Sequence, residues 1–363
     1  MKRTIRSDLS ERRKARERSR ARSAEPERLF SNLDENLARN PGSLLGMTSL
    51  VGGTTVGAGI LGLGGEAAKS GFVPFAATTV LIWLYSVVTG LLMAETSVRT
   101  LVDKQENSIQ TMASRTLGPA GGISSSFLFA FLHYAILIAY SSKGGEVISR
   151  QIGLSDTQWV GPVVLNASLG ALIYFSGAQQ LDRANVLLTA SVVATFVGLC
   201  ISALSNGGIE PENLLARAEW NQVLSIVPVL ALSFVFQNIV SVVCTSLEGD
   251  KGLIRRSILI GTGIPLLAFL IWVAVLLGKT PPEQQSAGVD PLELLMQSSA
   301  PFIAPLTNGF QLSAIATSWV REFGSSLHFW SLSDAALTEL CASDRIFLRA
   351  QRPVHRHVQP AKR

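Results

Sequence analysis

The chain is short of charge. Asp, Glu, Lys and Arg make up only 16% of its 363 residues, against 47% hydrophobic ones. That balance, with a positive mean hydropathy of +0.33, excludes an ordinary soluble enzyme. Cysteine is scarce too. Cys200, Cys244 and Cys341 are expected to be free thiols, which excludes a disulfide framework. His355 and His357 lie in a basic tail with no thiol or carboxylate at ligand spacing, so no metal centre is expected. No nucleophile–base constellation is present, which argues against an enzyme and against any resident cofactor. Gly57, Gly59 and Gly62 match the dinucleotide fingerprint, but the run is membrane-length and Thr79–Ser86 holds no acid where one is needed. In "GGEAAKSG" Ala68 precedes Lys69 where a phosphate-binding loop requires glycine, so nothing points to an ATP-driven pump. No apolar signal-peptide core opens the chain.

What the sequence has is long apolar runs. Eight follow in order, near Leu44–Leu63, Phe72–Ala94, Ile123–Ser141, Trp159–Phe175, Asn185–Leu204, Val223–Val243, Ile258–Gly278 and Pro301–Val320. A bilayer core about 30 Å thick takes roughly 20 apolar residues per helix. Only closed backbone hydrogen bonding survives in lipid, so the runs are expected to be helices of an all-α integral membrane protein. The lone glycosylation sequon, Asn166-Ala167-Ser168, falls inside one of them. Three segments follow from this pattern: a disordered basic arm over 1–42, a membrane domain over 43–320, and a polar, disordered tail over 321–363. The arm's basic balance concerns orientation in a bilayer rather than nucleic acid, which is not an expected partner. Its acidic residues, Asp8, Glu11, Glu17, Glu25 and Glu27, count against a transit peptide and leave plasma membrane or plastid envelope undecided. Loops with Arg99, Lys104 and Arg115, and with Lys251, Arg255 and Arg256, fall on the arm's side; Glu210, Glu212, Glu219, Glu283, Asp290 and Glu293 fall opposite. Basic loops face the cytosol, so the N-terminus is expected there.

The first run contains "GGTTVGAGILGLGG", Gly52 to Gly65. A packing role through Gly53-x-x-x-Gly57 is one reading. The other is a helix broken mid-membrane, whose free amides and carbonyls line a cavity suited to the carboxylate and amine of an amino acid. The sixth run places Phe234, Phe236, Gln237 and Asn238 at its centre, and two amides at that depth are expected to face protein or a cavity. Breaks in the first and sixth helices are what an inverted repeat of five helices produces. Lys143 and Glu146, three apart, are either an interfacial pair or an ion-coupling pair. Glu95 is expected to cap the end of the second helix.

Three segments carry a resemblance: "GTTVGAGILGLG" (Gly53–Gly64), "AYSSKGGEVIS" (Ala139–Ser149) and the run from Val227 to Gly278. They resemble the tyrosine/tryptophan permease family of the amino acid–polyamine–organocation superfamily, over about residues 40–320, and "LTNGFQLSAIATSWV" (Leu306–Val320) is similar to that family's eighth helix. The resemblance implies a broken-helix, five-plus-five inverted-repeat transporter fold, here cut short after the eighth helix. It implies secondary active transport of an aromatic amino acid by alternating access, coupled to an ion, usually a proton, with the lipid bilayer as setting. Thr54, Thr55, Gly57, Ala58 and Gly59 would surround the substrate's charged ends, with Phe234, Phe236, Gln237 and Asn238 opposite. Gln237-Asn238 stand where the family tends to carry a histidine, and the apolar runs stop at eight where the family has about eleven helices; the two departures open two further readings. One is a permease for non-aromatic amino acids. The other is a shortened, non-transporting paralogue with a regulatory or binding role.

Overall fold

The computed structural model describes residues 31–33, 38–57, 59–102, 107–154, 157–176, 178–205, 208–287, 289–297 and 302–323. Residues 1–30 and 324–363, with most of the expected arm and tail and with Cys341, His355 and His357, lie outside the described residues. So does Lys104.

The described residues are helical, apart from loops and one isolated bridge between Leu33 and Arg39. In chain order the helices are α1 (Leu44–Thr55), α2 (Gly59–Ser70), α3 (Phe72–Val102), α4 (Ile109–Gln151), α5 (Val160–Phe175), α6 (Ala178–Ser205) and α7 (Pro211–Leu215). Then follow α8 (Val223–Ser233), α9 (Val240–Ser246), α10 (Lys251–Lys279), α11 (Pro282–Ser286), α12 (Pro291–Met296) and α13 over 303–323. Eight spans were expected; five helices are long and apolar enough to cross a bilayer, and a sixth arises if α1 and α2 count as one bent span. The other two runs are helical but are not among the five. α5 has only 16 residues, and α13 is interrupted by Asn308, Gln311, Arg321 and Glu322. α3 runs on to Val102, so Glu95 does not end it and instead pairs with Arg99 one turn later, at 2.8 Å.

Three apolar clusters hold the bundle, one of them joining Leu165 and Leu169 of α5 to Ile315 and Trp319 of α13. Phe234, Phe269, Trp272 and Phe310, all fully buried, join α8, α10 and α13. Val51, Phe236, Val243 and Ile258 join α1, α9 and α10. α1 meets α10 through glycine, but not the expected one. A Cβ on Gly52 would come within 3.0 Å of the Gly261 carbonyl, whereas Gly53 has nothing within 4 Å. Close backbone approach therefore falls to Gly52 and Gly261, leaving Gly53 and Gly57 on another face.

Polar contacts tie the helix ends into two layers. At one, Arg39 Nη2 reaches Glu248 Oε2 at 2.5 Å, the Asn32 amide donates to the Thr245 and Ser246 carbonyls, and Asn107 donates to the Ser241 carbonyl. At the other, Glu219 donates its backbone amide to Ser70, Arg217 donates to Ala68 and Gln285, and Asn213 donates to Gly278. The first layer gathers the N-terminal segment with the start of α10 and its Lys251, Arg255 and Arg256; the second gathers Glu210, Glu219 and Glu283.

Candidate functional site

The first interruption lies where the sequence is poorest in helix formers. Gly52-Gly53-Thr54-Thr55 sums two residues that each cost about 1 kcal/mol relative to alanine and two β-branched ones. Thr54 and Thr55 turn their hydroxyls back onto the Leu50 and Val51 carbonyls, at 2.8 and 2.9 Å, a contact that bends helices. α1 stops at Thr55, and α2 starts at Gly59 on an axis bent by 53°. Ala58 lies outside the described residues. The second interruption separates α8 from α9. Phe234 and Phe236 leave helical geometry, and Gln237–Ile239 form a single 3₁₀ turn. The two breaks adjoin: a Cβ on Gly59 would lie 2.8 Å from Ser233 Oγ.

Between them opens a cavity of about 80 Å³. Thr54, Thr55, Gly57 and Gly59 line it from the first break, and Ser233 and Asn238 from the second. Ile136 and Tyr140 of α4, with Ser318, Arg321 and Glu322 of α13, complete it. The Arg321 guanidinium donates to the Gly53 carbonyl at the C-terminal end of α1, where the helix dipole favours a cation. Asn238 Oδ1 is buried with no hydrogen-bond partner. It leaves an acceptor facing space that an ammonium donor would satisfy. The N-terminal amides of α2 offer the complementary end for a carboxylate.

Five of the nine residues expected around the substrate thus share one cavity; a sixth, Ala58, lies outside the described residues. The other three point elsewhere. Phe234 is fully buried edge-on to Phe269, with ring centres 5.2 Å apart. Phe236 is fully buried against Gly90, where a Cβ would fall 2.7 Å from a ring carbon. Gln237 donates to Thr89 Oγ1 at 3.1 Å and accepts from the Phe236 amide at 3.0 Å. Lys143 and Glu146 lie outside this cavity. They pair at 3.3 Å with side chains 67% and 45% exposed, and Arg150 bridges Glu146 to Glu293 beside a smaller cavity of about 40 Å³.

Sequence reasoning missed Arg321 and Glu322, which it assigned to the tail, and His133, the partner of Glu322 in α4. The signal was available. Ser313, Thr317, Arg321 and, one place on, Glu322 recur at helical spacing through the end of the eighth run.

Membrane-length helices, two of the spans broken beside a shared polar cavity, define a multi-pass membrane protein. A model of the tryptophan/tyrosine permease family matches residues 40–327, and the chain belongs to that family, which is one of permeases rather than enzymes. A tryptophan-specific transport protein of Pseudomonas aeruginosa is 30% identical over 258 residues, 68% of this chain and 60% of the relative. A tyrosine-specific transport system of Haemophilus influenzae is 29% identical over 232 residues, 62% of this chain and 56% of the relative. A glutamine transporter of Aliivibrio fischeri is 23% identical over 240 residues, 65% of this chain and 61% of the relative. The chain thus spans about 60% of the length of the curated relatives it matches.

Proposed function

We propose that the chain binds an amino acid between the two helix breaks and carries it across the membrane by alternating access. The observation behind this reading is the meeting of the breaks at Gly59 and Ser233, which sets helix-end amides and an unsatisfied Asn238 carbonyl oxygen around one cavity. Such an arrangement suits the two charged ends of a zwitterion and little else. The breaks fall in the first and the sixth of the eight apolar runs, five apart. That spacing supports a five-plus-five inverted repeat, in which one repeat rocks against the other. The gathering of basic loops with the N-terminal segment supports a cytosolic N-terminus. Thr54, Thr55, Gly57, Ala58 and Gly59 serve the substrate's charged ends from one side and Asn238 from the other. Phe234, Phe236 and Gln237 hold the second break in place from behind, through Phe269, Gly90 and Thr89.

Tryptophan and tyrosine are the proposed substrates, from the family and the names of its relatives. One observation favours glutamine as a rival: among the described residues Tyr140 is the only aromatic side chain on the cavity wall, Phe234 and Phe236 being turned into the core. Uptake of labelled tryptophan into proteoliposomes, competed by tyrosine and by glutamine, separates the two. A Cβ on Gly57 would lie 2.9 Å from Ser318 Oγ and 3.7 Å from the Tyr140 hydroxyl, so Gly57→Leu fills the site. Loss of all uptake in Gly57→Leu, with unchanged folding, is expected. Uptake that survives it would mean that the substrate goes elsewhere.

A further inference from the structure

Beyond Tyr140, α4 has two contrasting faces. On one, Gly144 and Gly145 let it close on its neighbours: a Cβ on Gly144 would lie 2.9 Å from Ile315, and one on Gly145 would meet Pro162. On the other stand Lys143, Glu146 and Arg150, at helical spacing along one side. These three rim the smaller cavity, and Asp290 and Glu293 of the α12 segment face them across it. The floor is apolar, formed by Leu61 of α2, Val147 of α4 and Ile315 of α13.

Three helices run past both cavities in turn. α2 gives Gly59 to the larger and Leu61 to the smaller. α4 gives first Tyr140, then Glu146 and Arg150, and α13 gives Ser318 to the larger, Ile315 and Gln311 to the smaller. Between the cavities Leu61, Tyr140 and Ile315 meet in one apolar cluster. The smaller cavity therefore continues the larger one along the same helices. It does so beside α12, which follows Gln285 and its contact with Arg217, on the face opposite the N-terminal segment.

Arg150 bridges the rim of this cavity. Its Nη2 pairs with Glu146 of its own helix and with Glu293 Oε1 of α12, the latter at 3.4 Å. The two contacts differ in kind. Glu146 is one turn back on α4 and travels with Arg150, whereas Glu293 belongs to another element. Parting from Glu293 leaves Arg150 with a carboxylate partner, and leaves Glu293, 49% exposed, with water. Neither charge is stranded, so the contact opens at small cost.

We propose that the smaller cavity is the approach to the substrate site from the face opposite the N-terminal segment, and that the Arg150–Glu293 pair is the latch across it. This rests on the transport reading above and names a part of the path which that reading leaves open. With the latch shut, α12 is held to α4 over the floor of Leu61 and Ile315; with it released, the floor meets water. An amino acid arriving there brings a carboxylate for Arg150 and an ammonium for Glu293. The entering zwitterion thus competes with the latch instead of meeting a neutral barrier.

The test uses the full chain in sealed membrane vesicles, with Leu61→Cys as reporter in a background lacking Cys200, Cys244 and Cys341. An impermeant methanethiosulfonate is added on the face opposite the N-terminal segment. Arg150→Gln and Glu293→Gln are each expected to speed labelling about two- to fivefold, the range open to an exposed ion pair. The double variant is expected to react no faster than either single one, and Arg150→Glu with Glu293→Arg to restore the original rate. From the other face no substitution is expected to change the rate. Labelling unmoved by both single substitutions, or effects that add in the double variant, would overturn the proposal. Should the wild type take up no amino acid, the transport reading falls alone, because faster labelling in the single variants still supports the latch.

Discussion

At the scale of single residues, several side chains matter for what they prevent. Gly90 is where α3 lets the Phe236 ring pass, and any Cβ there would overlap it. Phe236 is held out of helical geometry between α8 and α9, so Gly90 helps to keep the second break broken. Gly90→Val must displace a fully buried ring. A loss of about 1–3 kcal/mol is expected, read as a lower thermal-unfolding midpoint in detergent. The same reasoning separates the chain's ionisable residues into two kinds. Glu95–Arg99 and Lys143–Glu146 are exposed pairs, each worth about 0–1 kcal/mol in water. His133 and Glu322, 3.2 Å apart, are largely buried, and Glu322 lines the cavity.

At the scale of elements, the first span shows what the sequence makes readable and what it does not. The cluster Gly52-Gly53-Thr54-Thr55 announces a weak helix, because propensity is local, and α1 does end there. The division of labour among its glycines depends on which neighbour lies on which side, and that is tertiary information. Packing falls to Gly52 and open space to Gly53. Gly52→Val is therefore expected to destabilise the protein by about 1–3 kcal/mol through its clash with Gly261. Gly53→Ala is expected to leave the unfolding midpoint unchanged or raised, by up to about 1 kcal/mol of helix propensity. Equal losses from the two would contradict the contact between α1 and α10. In the second break Phe234 and Phe236 were legible as special, being bulky beside two amides. Their direction was not, since it is set by Phe269 and Gly90 from other helices. The end of the eighth run was misjudged for a different reason. Arg321 and Glu322 look like the start of a polar tail, although the helix continues to residue 323 and turns both onto the cavity.

At the scale of the whole molecule, the two layers of end contacts fix which loops share a face. Asn32 and Arg39 touch the α9–α10 turn, while Gly278 touches Asn213 and Glu210 at the other end. Single cysteines at Ser31 and Asp250, in a background lacking Cys200, Cys244 and Cys341, are expected to react with an impermeant thiol reagent from one side of a sealed membrane. One at Gln284 is expected to react from the other. Labelling of all three from one side would break the odd number of crossings between them. Beyond topology, the length of α4 has its own consequence. Its 43 residues kink at Gly118-Pro119, and the straight part that follows, residues 119–151, is about 50 Å long. A hydrocarbon slab of about 30 Å cannot cover that helix unless it leans steeply. Lys143, Glu146 and Arg150, near its far end, then stand among lipid headgroups, and membrane thickness and headgroup charge become settings of the protein itself.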